Sequence, residues 1–279
     1  MNERDLSITY IPILLTIFLS PLYILIFNNI GYVVPVITPY EDTGFGAITN
    51  TIILLSITTI FGVLMLVIIR WPKLLNRVIL LLALYIIFST FSFYFLILER
   101  FVHQALIQLV IVYLIPLVIT GIAYLSIRRR KRVVYSFVLL NSMVGMGVIF
   151  NNSLPTTTKL LVIIAYSIFD YISVSKGILK KMFSHPGTGK NIFEPLLIMF
   201  GDIGIGVGDI LFYSLFVVFS MELLYPFYLL GFAASSFSIL IGHLINLKVL
   251  VKKKMIPALP IPLISGLFVV YGFRLFMGL

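Results

Sequence analysis

The chain has 279 residues, of which 61% are hydrophobic and 11% charged, with a mean hydropathy of +1.15 and a formal net charge of +10. Soluble domains carry roughly a quarter charged residues, so a soluble globular fold is excluded, and apolar runs this long and unalternating are helices rather than barrel strands of about ten residues. Cysteine is absent, which excludes disulfides, thiolate metal sites and a cysteine nucleophile.

At about 20 apolar residues per span, the sequence predicts an all-α polytopic membrane protein with nine transmembrane helices, at roughly 8–28, 46–69, 74–98, 104–127, 133–150, 158–178, 198–221, 225–247 and 258–277. The first run, Ile8 to Ile30, is longer than the apolar core of a removable signal peptide and lacks a small-residue cleavage site after it, so it reads as the first span. No soluble domain and no transporter-like internal repeat is apparent. Residues 1–157 therefore read as a scaffold of helices one to five, and 158–279 as helices six to nine carrying the chemistry, within one membrane unit.

Alternate loops put Arg4; Arg70, Lys73 and Arg77; Arg128 to Arg132; Lys176, Lys180, Lys181 and Lys190; and Lys248 with Lys252 to Lys254 on one side, leaving Arg100, Lys159 and Arg274 opposite. The positive-inside rule then predicts a cytoplasmic N-terminus and an extracytoplasmic C-terminus. Short basic clusters between apolar runs suit anionic lipid headgroups better than nucleic acid.

His103, His185 and His243 form no His-Glu-x-x-His pair, and Ser265-Gly266 lacks the upstream glycine of a Gly-x-Ser-x-Gly turn. Zinc and serine protease chemistry is thus not expected, nor any metal or cofactor. Most acidic residues, Glu3, Asp5, Glu41, Asp42, Glu99, Glu194 and Glu222, fall in tails, loops or helix ends. Asp170 and Asp209 instead lie inside predicted spans, where an ionisable group marks a functional site by default. Asp170 is six residues before Lys176, about 9 Å inside the basic end of its helix. Asp209 falls in the first half of the next span, and Pro257-Ala258-Leu259 opens the last directly after a lysine cluster, so all three strings share one depth. Asp202, two helical turns before Asp209, is either a helix-dipole charge or an accessory acid.

Two carboxyls close together in a dry site share a proton and titrate as a pair, the arrangement that activates a water against an amide; a proton or ion relay is the competing use of the same acids. Gly204, Gly206 and Gly208 before Asp209 either bring helices together or leave bare backbone for an extended substrate. Pro257-Ala258-Leu259-Pro260 is either plain helix initiation or an irregular wall of a site.

Taken together, Asp170-Tyr171-Ile172-Ser173-Val174, Gly204-Ile205-Gly206-Val207-Gly208-Asp209-Ile210-Leu211-Phe212-Tyr213-Ser214 and Pro257-Ala258-Leu259-Pro260-Ile261 resemble the presenilin and signal peptide peptidase family of intramembrane aspartyl proteases. The likeness covers the chain from about residue 158, whereas helices one to five match only in number and orientation; a cytoplasmic N-terminus looks like the presenilin branch. The resemblance implies that Asp170 and Asp209 are the catalytic pair, that Gly206, Val207 and Gly208 shape the backbone beside the second acid, and that Pro257, Ala258 and Leu259 line the site. Phe169 departs from the family's tyrosine before the first acid, and the loop from Leu179 to Leu197 lacks the long apolar insert that presenilin cuts in itself, so the chain is expected to stay intact. Prepilin peptidases also carry Gly-x-Gly-Asp, but their cysteine-rich region cannot exist here.

The expected function is an intramembrane aspartic endopeptidase, a hydrolase acting on transmembrane helices of other membrane proteins. The alternative is a cation channel or proton-coupled transporter using the same acids. The bilayer is the expected environment, a microbial plasma membrane the expected location, and no nucleic acid the expected partner. Compact loops are compatible with a chain acting alone or as a homo-oligomer, and the sequence names no auxiliary subunits.

Overall fold

The computed structural model describes residues 8–30, 34–98, 107–108, 110–176, 193–200, 204–250 and 257–279. Among the described residues there are nine long helices: α1 (Tyr10–Ile30), α2 (Gly44–Ile68), α3 (Pro72–Leu98), α4 (Ile115–Arg128), α5 (Arg132–Ser153), α6 (Thr156–Ser175), α7 (Val207–Leu223), α8 (Tyr228–Leu250) and α9 (Pro260–Met277). A π-helical turn, Val110–Leu114, leads into α4. Eight spans, this turn included with α4, are long and apolar enough to cross a membrane, as expected of an all-α polytopic membrane protein. The remaining helix, α7, has 17 residues.

The span expected at 198–221 is shorter than the sequence suggested. Leu197–Met199 and Gly204–Gly206 form an antiparallel hairpin, β1 and β2, in the register Leu197↔Gly206, Ile198↔Ile205 and Met199↔Gly204, and α7 starts only at Val207. Each glycine costs a helix interior about 1 kcal/mol relative to alanine, so an apolar stretch with glycine at alternate positions is better served by strand pairing. Two α5 side chains anchor the hairpin: Ser136 Oγ accepts from Met199 N–H at 2.9 Å, and the Tyr135 hydroxyl donates to the Pro195 carbonyl at 2.6 Å.

The core is built around α7, whose residues from Phe212 to Ser220 are all buried. Lipid supplies no hydrophobic drive between helices, so close packing relies on small residues. A Cβ at Gly147 of α5 would lie 2.5 Å from the Leu211 carbonyl oxygen, one at Gly231 of α8 2.2 Å from that of Ser220, and one at Gly266 of α9 2.5 Å from the Phe216 ring. Gly208 has open space around its Cβ position and Gly204 lies against Leu197, so neither serves the helix packing that their spacing allowed.

Two helix ends carry unusual chemistry. α4 ends in a Schellman arrangement, with Lys131 N–H donating to Ser126 O at 2.8 Å and Arg130 N–H to Ile127 O at 3.0 Å. Arg130 holds the left-handed position, φ 56°, where glycine is usual and any other residue costs about 1–2 kcal/mol. The α6 N-terminus is capped from a distance by Asp42, which accepts from Thr157 N–H at 3.0 Å, Thr158 N–H at 3.1 Å and the Thr158 hydroxyl at 3.3 Å. Nearby, Lys159 pairs with Glu222 at 2.7 Å, and Asn151 donates to the same carboxylate at 2.6 Å.

Two predictions follow from this packing. Gly147→Val must push α5 from α7 and should cost about 1–3 kcal/mol, lowering the thermal midpoint in detergent, whereas Gly62→Ala, with nothing within 4 Å, should not. Desolvation pushes the Asp42 carboxyl up, but its hydrogen bonds from Thr157 and Thr158 outweigh this and hold it below the usual carboxylate range. A depressed folded-state value contributes stability above the unfolded value, which is lost as pH falls through the folded one. Asp42→Asn should therefore lower the thermal midpoint at neutral pH, with the gap to wild type closing in acid below the carboxylate range.

Candidate active site

Asp170 sits on α6 and Asp209 in the first turn of α7, and both residues are partly buried, the Asp209 carboxyl more deeply than that of Asp170. They are close enough for the charge of one to act on the other. Asp170 Oδ2 accepts the Leu259 N–H at 3.0 Å, and the Ala258 N–H points to the same carboxylate. Asp209 takes the N–H of Gly206, the last residue of β2. A Cβ at Gly206 would lie only 3.2 Å from Asp209 Oδ2, so glycine is the residue that lets the carboxylate fold back on the strand end.

The peptide group between Ala258 and Leu259 is bonded at both ends. Its N–H serves Asp170, and its carbonyl accepts from the Tyr213 hydroxyl at 3.0 Å and from Asn246 Nδ2 at 2.9 Å. Tyr213 and Asn246 are both buried. The site thus gathers one peptide unit before α9, an acid from α6, an acid and a tyrosine from α7 and an amide from α8.

Of the residues singled out in the sequence, Asp170, Asp209, Gly206, Ala258 and Leu259 are brought together by these bonds. Pro257 precedes them, half-buried, and Val207 and Gly208 form the first turn of α7. Phe169 packs beside Tyr166, ring centroids 6.4 Å apart. Tyr166 in turn lies 4.8 Å from the Phe212 ring and sends its hydroxyl to Thr58 and the Leu54 carbonyl of α2. Asp202, Gly201, His103, His185, Lys190 and Lys252 to Lys254 lie outside the described residues, as does the stretch 177–192, on which the expectation of an uncut loop falls. His243 is buried against Tyr10, with ring centroids 5.2 Å apart.

Tyr213 and Asn246 were not picked out by sequence reasoning. Tyr213 had a signal: it is four residues after Asp209 and so shares its helix face. Asn246 had only its polarity near the end of an apolar span. No protein-family model matches the sequence and no curated protein matches it, so the chemistry here rests on the arrangement of the chain's own residues.

The shared Ala258 carbonyl makes a prediction independent of any activity. Tyr213→Phe or Asn246→Leu alone leaves the carbonyl one donor, whereas the double variant strands a buried acceptor at roughly 1–3 kcal/mol. A double-mutant cycle on thermal unfolding should show the double variant losing more than the sum of the singles.

Proposed function

We propose that the chain is an intramembrane aspartic endopeptidase that hydrolyses peptide bonds within transmembrane segments of other membrane proteins, in the manner of the presenilin and signal peptide peptidase family. The observation that carries this reading is the approach of Asp170 and Asp209 from adjacent helices, with Asp170 held by the Leu259 N–H. In this reading α7 is a ninth span, about 26 Å long at 1.5 Å per residue, the N-terminus is cytoplasmic, and the location is a plasma membrane.

The chemistry needs one proton shared between two carboxyls. The ionised carboxylate takes a proton from a water as its oxygen bonds to the amide carbon. The protonated one gives its proton to the carbonyl oxygen. The tetrahedral adduct then breaks its C–N bond as the nitrogen takes the proton first drawn from water and the other carboxylate recovers its own from a hydroxyl of the adduct. A helical substrate shields that carbonyl, so it must be presented extended. Among the described residues the outer edge of β2 has no strand partner, three residues before Asp209 at Gly206, and an added strand there would deliver the substrate backbone to the acids.

The test is a reporter with one transmembrane helix, incubated in liposomes with wild type, Asp170→Ala and Asp209→Ala, the products weighed by mass spectrometry. Cuts inside the helix, lost by a factor of about 10³ or more in each variant, are the expected outcome. Folded wild type that never cuts while ion flux depends on Asp209 would overturn the reading in favour of a channel or carrier.

A further inference from the structure

At the end of the bundle where α3 and α5 begin and α4 stops, a cavity of about 540 Å³ opens between these helix ends and the turn that precedes β1. Lys73, Asn76, Arg130, Arg132, Tyr135 and Glu194 supply its polar walls. Glu194 pairs with one cation among the described residues, Arg132, at 2.6 Å. Among the described residues, Lys73 and Arg130 have no ion pair, so the cavity carries surplus positive charge.

The backbone points the same way. Arg130 occupies a left-handed position that glycine would fill without strain. A charged side chain kept where glycine would relieve the backbone suggests a use for that charge, and its place is on the cavity wall. Lys73 also lines a second, shallower pocket with Trp71, Leu74 and Arg77, of which Trp71 and Leu74 are exposed. An exposed indole with lysine and arginine at the end of a spanning helix marks headgroup level.

We propose that this cavity binds the phosphate of an anionic membrane lipid, with Lys73 and Arg130 on the phosphate oxygens and the Asn76 amide as a further donor, the apolar tail leaving past Leu80. Inorganic phosphate offers the same charge, but the exposed apolar surface of Trp71 and Leu74 beside Lys73 favours a lipid. Arg132 and Tyr135, on the cavity wall, also hold Glu194 and Pro195, so the bound headgroup braces the residues leading into β1. The proposal goes beyond the protease reading and does not depend on it.

Arg130→Gly separates charge from fold, because glycine suits the left-handed position and should leave thermal stability at or above that of wild type. Native mass spectrometry of the purified chain, delipidated and titrated with phosphatidylglycerol, phosphatidylcholine or inorganic phosphate, reads binding directly. Wild type and Arg130→Lys should retain phosphatidylglycerol over phosphatidylcholine, and Arg130→Gly and Lys73→Gln should each lose roughly five-fold in that retention. Lys248→Gln, an equal charge change outside the cavity, should lose none. Unchanged retention in a stable Arg130→Gly, an equal loss in Lys248→Gln, or displacement of the lipid by inorganic phosphate at comparable concentration would overturn the proposal.

Discussion

The bond from Leu259 N–H to Asp170 ties the last helix to the first acid, and the site is organised around it. A carboxylate among helices surrounded by lipid has to be met by donors of the chain itself. Helix interiors have none to spare, because their N–H groups are committed to carbonyls one turn back. Only a helix start has free donors, and Leu259 is the N-cap of α9, directly before Pro260. Helix initiation and site wall, left as alternatives for Pro257-Ala258-Leu259-Pro260, are therefore one feature: the prolines that start α9 expose the N–H groups that hold Asp170.

Asp209 is positioned by the same device, because Gly206, the last residue of β2, is also the N-cap of α7. The strand end at Gly206 supplies its donor, and the helix that carries it is gripped on several sides by glycines of α5, α8 and α9. Buried polar contacts reinforce this grip: Ser214 of α7 donates to the Val144 carbonyl at 2.7 Å and accepts from Ser20 of α1 at 2.9 Å. A helix buried on every face can move little, so adjustments at the site fall to α6 and to the residues preceding α9.

Much of the fold was legible because lipid is an unforgiving solvent: apolar length alone located most of the helices within a few residues, and the carboxylates inside apolar runs stood out against a background nearly free of charge. What escaped was local. The glycines before Asp209 were read, within one span, as either close packing or bare backbone for a substrate, yet strand pairing claimed Gly204 and Gly206, because pairing depends on a partner, Leu197–Met199, that hydropathy had merged into the same span. Asp42 and Glu222 looked like ordinary water-facing acids. Their roles depend on Thr157, Thr158, Lys159 and Asn151, residues brought to them only by the turn between α5 and α6. Asn246 was invisible for the same reason, since its partner is a backbone carbonyl that no side-chain pattern advertises.

The two ends of α6 are held by bonds of different character. At its N-terminal end, Asp42, Thr158 with Asn50, and the Lys159–Glu222 pair join α2, α5 and α7 in a polar clasp, with Ile37 N–H reaching the Ser153 carbonyl at 3.1 Å. Towards its C-terminal end, Asp170 accepts the Leu259 N–H, a hydrogen bond across to the N-cap of α9. Local opening follows the weakest set of contacts, so a chain admitted between α6 and α9 would separate the acid end while the clasp stays shut. Such an opening would take from Asp170 the donor that the N-cap of α9 supplies. Under the proposed protease reading, access to the site and the hydrogen bonding of its first acid would be one motion.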